Sequence, residues 1–479
     1  MAAQLNATVR TALVDERNEW STDTSINFAG DSGFDAATLR WNVHDAPEYV
    51  ASITVTTEAD VVKAVKLARA HGIPFLATGS RHSYGTTMSS LKGGFAIDLS
   101  QLSSLSVDKA AASITIGPGV TNEDIVGPVH EAGFETPTGS CSTVSVIGAT
   151  LGAGISRWSG VYGLLIDSLL LVRLITADGN VMEASATSNP DLFWAIKGAG
   201  ANFGIVVSAT YRLQKPINQG KILNADFMLP ADMKSGYFNL LRSLSEKGLP
   251  AELAINTAVV FDPGSSSTLV GGNWAWLGQE DEGRQVIEQL LALKPPIINV
   301  SILSWTELTK TAGFGGDAMI CPKGRLRSLY ATNVRQFSVS AHESAVEKMV
   351  QFYDEHPDGR GSMVIFEKFA NHAVKSVPDD TACYPWRDVT EYAMFQFSWA
   401  EAGSPTAAAA NTLGAQLRQE FSATSGYPDL AVYVSYAHGD ETLEQRYGKE
   451  KLHRLTALKN RYDPDNVFCY HHPLPAQYP

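Results

Sequence analysis

The sequence predicts an α+β protein of two closely packed parts, and three observations predict it. At 479 residues the chain is longer than one hydrophobic core usually organises. Short strands and helices, closely punctuated by glycine, fill the stretch up to about residue 215. Beyond Pro216 the strands lengthen and alternate with helices, the pattern of an antiparallel sheet backed by helices on one face. Composition is that of a folded globular chain, 44% hydrophobic and 18% charged. The formal net charge of −13 argues against nucleic acid or an anionic membrane as a partner. No apolar run reaches the length of a membrane span. A small molecule is the partner this leaves, and a monomer is expected.

Taken in order, the first 42 residues carry only a short amphipathic stretch and Gly/Ser/Asp-rich turns, and they lack the basic head and apolar middle of a secretory signal. Only Asn6 and Asn299 stand in glycosylation acceptors, which leans the expected location towards the cytosol, the alternative being secretion with a leader already removed. Val50–Val55 is rich in β-branched residues, Thr57 to Asp60 reads as a helix start, and Val61–His71 repeats apolar residues at helical spacing until Gly72. Ile73–Ala77 is a second strand, which delivers the next turn from a strand end, where ligand loops sit. Strands at Ala96–Leu99 and Ser113–Ile116 follow, then a helix at Thr121–Ala132 closed by Gly133. A hairpin over 169–184 turns on Asp178-Gly179. A short helix begins at Asn189-Pro190, and a glycine-rich turn leads into a strand at Val206–Leu213. In the second part the strands are Ile222–Met228, Ala254–Phe261, Ser267–Trp276, 331–340, Ser362–Lys368 and Thr390–Trp399. The helices are Ala231–Glu246, Glu280–Leu293, Ala341–His356, Pro405–Ser422 and Tyr447–Arg461. Residues 300–330 read as irregular.

Two glycine-framed stretches stand out. One is Thr78-Gly79-Ser80-Arg81-His82-Ser83-Tyr84-Gly85; the other runs from Thr138 to Asp167 with one cysteine and six glycines. Small residues at this density let backbone approach a ligand closely and turn bare N–H groups towards it. A large, flat, partly anionic ligand fits them. A neutral imidazole and a thiolate are both nucleophiles. Each residue alone reads as a turn histidine or an inert buried cysteine; the pairing is what carries the signal. The stretch Lys197–Val206 is a poor dinucleotide fingerprint, since it follows a helix and has the wrong spacing.

The pair, with the run ending in Tyr162-Gly163-Leu164 and Asp167 and the closing phrase Tyr462-Asp463-Pro464-Asp465-Asn466-Val467-Phe468, resembles the berberine-bridge-enzyme-like oxidases of the vanillyl-alcohol-oxidase group. The resemblance spans about Pro47 to Pro473. It implies a two-subdomain PCMH-type FAD-binding domain over 43–215, completed by 431–479, with a substrate domain over 216–430 and an N-terminal extension over 1–42. It implies FAD bonded twice, through His82 to the 8α-methyl and through Cys141 to ring carbon 6. The cofactor-binding set it implies adds Thr78, Gly79, Ser80, Arg81 and Ser83 from the first stretch. From the second it adds Gly139, Val144, Gly148, Leu151, Gly152, Gly154, Tyr162, Gly163 and Asp167. Further on it adds Gly200, Asn202, Gly204, Ile205, Val206 and Tyr436. With Cys141 on the flavin, Cys321, Cys383 and Cys469 allow at most one bridge.

An alcohol-oxidising flavoenzyme needs a base beside the carbon that gives up hydride. Tyr433-Val434-Ser435-Tyr436 resembles the family's Tyr-x-Asn-Tyr phrase, which makes Tyr436 the candidate. A phenol serves as a base only with a neighbour to lower or relay its proton, and Glu367 is the candidate neighbour. Gln396 falls where alkaloid-oxidising members place a glutamate, and an amide cannot take up a proton. Val144, three residues after Cys141, matches the position where a small valine goes with access of molecular oxygen. His471-His472 tempts a metal reading, but adjacent residues of an extended segment face opposite ways and no other ligand pattern accompanies them. Metal is rejected. The expected function is oxidation of an alcohol carbon, in a sugar hemiacetal or a natural-product hydroxyl, with hydrogen peroxide as by-product. The rivals are oxidative cyclisation of an alkaloid or polyketide, and a non-redox binding protein that keeps the flavin fold.

Overall fold

The computed structural model of the protein describes residues 2–15 and 19–478. Among the described residues, sixteen strands form three sheets. The first holds β1 (Ser25–Phe28), β2 (Glu48–Thr54), β3 (Phe75–Thr78) and β4 (Lys92–Asp98) in the order β1-β2-β4-β3. Strands β2 and β3 flank β4 in parallel, and β1 closes the edge antiparallel. Helix Glu58–His71 makes the crossover. Thr57 caps it by accepting from Asp60 N, and Gly72 ends it at φ 61°, where a side chain would be strained. The N-terminal stretch is more than an extension: besides the edge strand β1, it supplies helix Ala2–Val14, whose Val9 and Leu13 are fully buried in this sheet's core.

The second sheet is antiparallel throughout, β5-β6-β9-β7-β8, from β5 (Leu105–Asp108), β6 (Ser113–Ile116), β7 (Leu169–Ile175), β8 (Val181–Ser185) and β9 (Ile205–Arg212). The third has seven strands: β10 (Lys221–Pro230), β11 (Leu253–Asp262), β12 (Ser267–Trp276), β13 (Ile297–Ser304), β14 (Leu326–Val334), β15 (Met363–Phe369) and β16 (Glu391–Trp399). Their order is β13-β10-β12-β11-β15-β16-β14, all antiparallel.

Alternation gives this large sheet two different faces. Leu223, Ala225, Phe227 and Leu229 point back into a core packed beneath helices Lys234–Lys247, Glu280–Leu291, Val339–Glu355 and Pro405–Thr424. The other face carries a polar rung that crosses six strands in register: Asn299, Asp226, Asn273, Asn256, Glu367 and Tyr392.

The region 300–330 is ordered, contrary to the sequence reading. It holds most of β13, then helix Trp305–Gly315, opened by a capping box between Ser304 and Glu307, a short helix Asp317–Ile320, and the start of β14. The strand expected at 331–340 begins five residues earlier, and from Val339 the chain is helical. The cysteines also pair differently: Cys141 itself is bridged to Cys321, with Cα atoms 6.2 Å apart, while Cys383 and Cys469 are free.

Candidate active site

A cavity of about 950 Å³ lies where the polar face of the seven-stranded sheet meets the ends of the other two. One wall is the turn that leaves β3. Gly79 is forced by packing, since a Cβ there would stand 2.8 Å from the Pro118 carbonyl. Arg81 takes a left-handed φ of 62° and is held there by Asp98, 2.6 Å from its Nη1, and by the carbonyls of Leu39 and Ala36. The backbone N–H groups of Gly79, Ser80, Arg81 and His82 donate to no group of the protein among the described residues. The Thr78 hydroxyl is likewise buried without a partner. Together they form an anion cradle.

His82 lines the same cavity, with Nε2 2.9 Å from Thr143 Oγ1, which leaves Nδ1 for a ligand. Burial pushes its pKa down to about 3, helped by the charges of Lys323, Arg327, Arg40 and Arg81. The ring is therefore a neutral nucleophile across the physiological range.

The loop over 138–145 forms the adjoining wall. Ser145 N donates to Ser80 Oγ at 2.8 Å, tying the two loops together. Asn122 shapes the loop by donating to Cys141 O and accepting from Gly139 N. Its cysteine does not present a free thiolate here, because the sulfur is shared with Cys321. An Asp317 carboxylate oxygen lies with these two sulfurs inside a 4.8 Å cluster, the metal-like grouping among the described residues. The sulfurs are spent on each other, and Asp317 accepts from Ser142 N and Oγ at 2.8 and 2.6 Å.

Facing these loops, the Tyr436 hydroxyl donates to Glu367 Oε2 at 2.8 Å, and Ser140 Oγ donates to Oε1 at 3.1 Å. Burial raises the Glu367 carboxyl, against the hydrogen bonds and the Arg157 charge that pull it down. Tyr436 is driven well above an ordinary phenol by burial and by the Glu367 charge. The phenol thus keeps its proton at neutral pH, and the Glu367 carboxyl, in its ionised form, is the group beside it able to receive one. The rings of His82, Trp41, Tyr84 and Tyr436 succeed one another at 6.1, 5.0 and 6.0 Å between centroids.

Of the residues singled out in the sequence, Thr78 to Ser83, Gly139, Cys141, Val144, Gly148, Leu151, Gly152, Asn202, Gly204, Ile205, Val206, Glu367, Gln396 and Tyr436 line the cavity. Five do not. Gly154 and Gly200 pack against Leu165 and Leu151, leaving no room for a Cβ. Tyr162 turns away to Glu135 and the Lys215 carbonyl, and Gly163, at φ 84°, serves the turn beside it. Asp167 caps Leu164 N and pairs with Arg387 at 2.8 Å, a structural role for both. Asn202 lines the wall, but its side chain is turned to the C-terminal tail, bonding Tyr447, the His472 carbonyl and Leu474 N. His471 bonds Ser83 and His472 approaches Arg446; with φ 46° at His472 the segment is not extended, and the two rings lie 4.7 Å apart.

Sequence reasoning missed Arg157, Asn256 and Asn273, all on the cavity wall, and the whole contribution of residues 312–320. A signal for the latter existed: Ser304-Trp305-Thr306-Glu307 is a helix-start phrase.

The uncommitted N–H groups, the orphan Thr78 hydroxyl and the neutral His82 suit a diphosphate-bearing aromatic cofactor. A family model described as FAD binding domain matches residues 50–185, and one described as berberine and berberine like matches 432–475. The chain is 42% identical over 475 residues to the FAD-linked oxidoreductase srdI of Neurospora crassa, covering 99% of this chain and 94% of that one. It is 43% identical over 474 residues to the FAD-linked oxidoreductase fogF of Aspergillus ruber, covering 98% and 95%. Among solved structures, BBE-like 1 of Physcomitrella patens superposes with a TM-score of 0.83 at 22% identity, over all of both chains. Sequence relatives, family models and fold agree with the cavity's own chemistry: the chain belongs to the berberine-bridge-enzyme-like FAD-linked oxidoreductases.

Proposed function

We propose that the protein is an oxidase of an alcohol carbon in a natural product, with its flavin attached covalently. The turn over Gly79 to His82 would hold FAD, which when bound would supply the hydride acceptor and the route by which dioxygen becomes hydrogen peroxide. The protein's part is the proton. Tyr436 takes the hydroxyl proton of the substrate as it hands its own to Glu367, so the carboxylate is the final acceptor and the phenol the relay. Ser140, next to Cys141, fixes the other oxygen of that carboxylate. The single observation carrying this reading is the chain Tyr436–Glu367–Ser140, which runs from one wall of the cavity to the cysteine loop on the other. Gln396 sits on the same sheet face, one strand over, and cannot accept a proton, which speaks against a glutamate-based cyclisation.

His82 is ready for attachment as it stands. Cys141 becomes available once a thiol reductant gives its bridge to Cys321 two electrons and two protons. Anaerobic addition of an alcohol is expected to bleach the flavin, with one peroxide formed per turnover in air. Acid-precipitated protein is expected to stay yellow, with the FAD mass on the His82 peptide, and on the Cys141 peptide as well after treatment with dithiothreitol. Free FAD in the acid supernatant would refute attachment. Failure of every alcohol to bleach the flavin would refute the activity.

A further inference from the structure

The sheet face that floors the cavity changes character from one rung to the next. On the Glu367 rung, the neighbours Asn256 and Asn273 each bury an Oδ1 with no hydrogen-bond partner. Above them Arg157, 7% exposed, buries Nε and Nη1 equally unpartnered, although Glu367, Asp226 and Asp317 all act on its charge. Unpaired donors and acceptors at this depth are costly unless a ligand satisfies them. The next rung, towards the mouth, reads Met228, Gly271, Ala258, Ile365, Met394. The one beyond carries Leu269, Val260 and Met363, with Gln396 at its β16 end, and it offers no charge to a ligand. At Gly271 a Cβ would come within 2.2 Å of the Met228 sulfur, so the floor is kept low there. Ile297, Phe314 and Met319 also line the cavity and are 51%, 41% and 63% exposed, an apolar rim uncommon for large side chains facing water.

We infer that the substrate is an amphiphile: an alcohol bearing a second oxygen function beside its reacting carbon, which Arg157 and the two asparagines hold, and an apolar tail that lies over Gly271 towards Leu269. This rests on the alcohol-oxidase reading above and names its substrate class. An oligosaccharide does not fit the outer rungs, which would strip water from its hydroxyls and return few hydrogen bonds.

The probes are benzyl alcohols with para-alkyl tails of one, four and eight carbons, each with or without a ring hydroxyl next to the carbinol. Their carbinol methyl ethers, which have no hydroxyl proton to give, serve for binding, and cellobiose is the sugar control. By calorimetry on the holoenzyme, the ethers are expected to tighten by roughly threefold per added methylene until the groove is filled. The ring hydroxyl is expected to tighten binding by about tenfold. In Arg157→Gln the hydroxyl gain should vanish while the tail gain persists. Leu269→Gln, at a half-buried site, should flatten the tail gain and spare the hydroxyl gain. Should Arg157→Gln fail to fold, Asn256→Ala tests the same head contact, and the wild-type series stands on its own. Dissociation constants indifferent to tail length, a hydroxyl gain intact in both head variants, or cellobiose binding tighter than the eight-carbon ethers would each overturn the inference. If the ethers bind as expected but no alcohol bleaches the flavin, the oxidase reading falls and the recognition stands; bleaching without tail or hydroxyl dependence does the reverse.

Discussion

At the scale of single residues, the site turns on a carboxylate held in an unfavourable place. Removing the relay in Tyr436→Phe is expected to slow flavin reduction by about 100-fold or more, the usual scale for a lost proton-transfer group, with flavin content unchanged. Stopped-flow bleaching measures it. The reduction rate should also fall in acid as Glu367 takes up a proton, at a pH above that of an ordinary glutamate, because burial raises it. Glu367→Gln should lose that acid limb together with most of the rate. The same shift bears on stability. A carboxyl whose folded pKa lies above its unfolded value contributes stability below the unfolded value and loses it as pH rises through the folded one. Glu367→Gln is therefore expected to melt higher than the parent at pH 8, with the difference shrinking towards pH 4.5, a trade of stability for function. Val144, half-buried on the cavity wall three residues after Cys141, is small enough to leave a gap. Packed interiors have few gaps of dioxygen size. Val144→Leu should reoxidise more slowly, by about tenfold or more, when the anaerobically reduced enzyme meets oxygenated buffer; equal rates would place oxygen entry elsewhere.

At the scale of elements, Asn202 is a clasp. Its amide joins the glycine-rich turn before β9 to the tail at His472 and Leu474, and to Tyr447. Asn202→Ala leaves buried partners unpaired, which costs about 1–3 kcal/mol. Limited proteolysis should then cut near residue 470, with a lower melting temperature. Most elements here were legible in the sequence because local signals agreed with the tertiary fold. The helix from Glu58 shows Thr57 at its start and Gly72 at its end, and β6 and β12 fall at the residues their alternation picks out. Strand β13 was not legible, since it is a sheet edge whose partly exposed, mixed residues give no clean alternation. Its following helix ends in Gly313-Phe314-Gly315-Gly316, which reads as loop. The site was half legible for the same reason. Short-range phrases expose His82, Cys141 and Tyr436, whereas the Cys141–Cys321 bridge spans 180 residues and Asn256 meets Glu367 only through the register of two strands, which no spacing encodes.

At the scale of the molecule, three sheets meet at one cavity, so a ligand bound there braces all of them. A chain carrying both His82→Ala and Cys141→Ser should hold FAD only reversibly. Its melting temperature should then rise with added FAD, by the equivalent of about 2.7 kcal/mol at a hundredfold excess over the dissociation constant; the parent should not respond. The tail raises a matter of timing. His471 bonds Ser83, beside His82, and Leu474 N bonds Asn202, so the cavity wall is finished by residues as much as 388 positions further along the chain. At cellular rates of synthesis, roughly 20 to 80 s separate Ser83 from His471. The two sides of the cofactor pocket are thus made at well-separated moments of synthesis. A chain stopped short of His471 holds the residues of all three sheets and still lacks the tail that closes the place for its flavin.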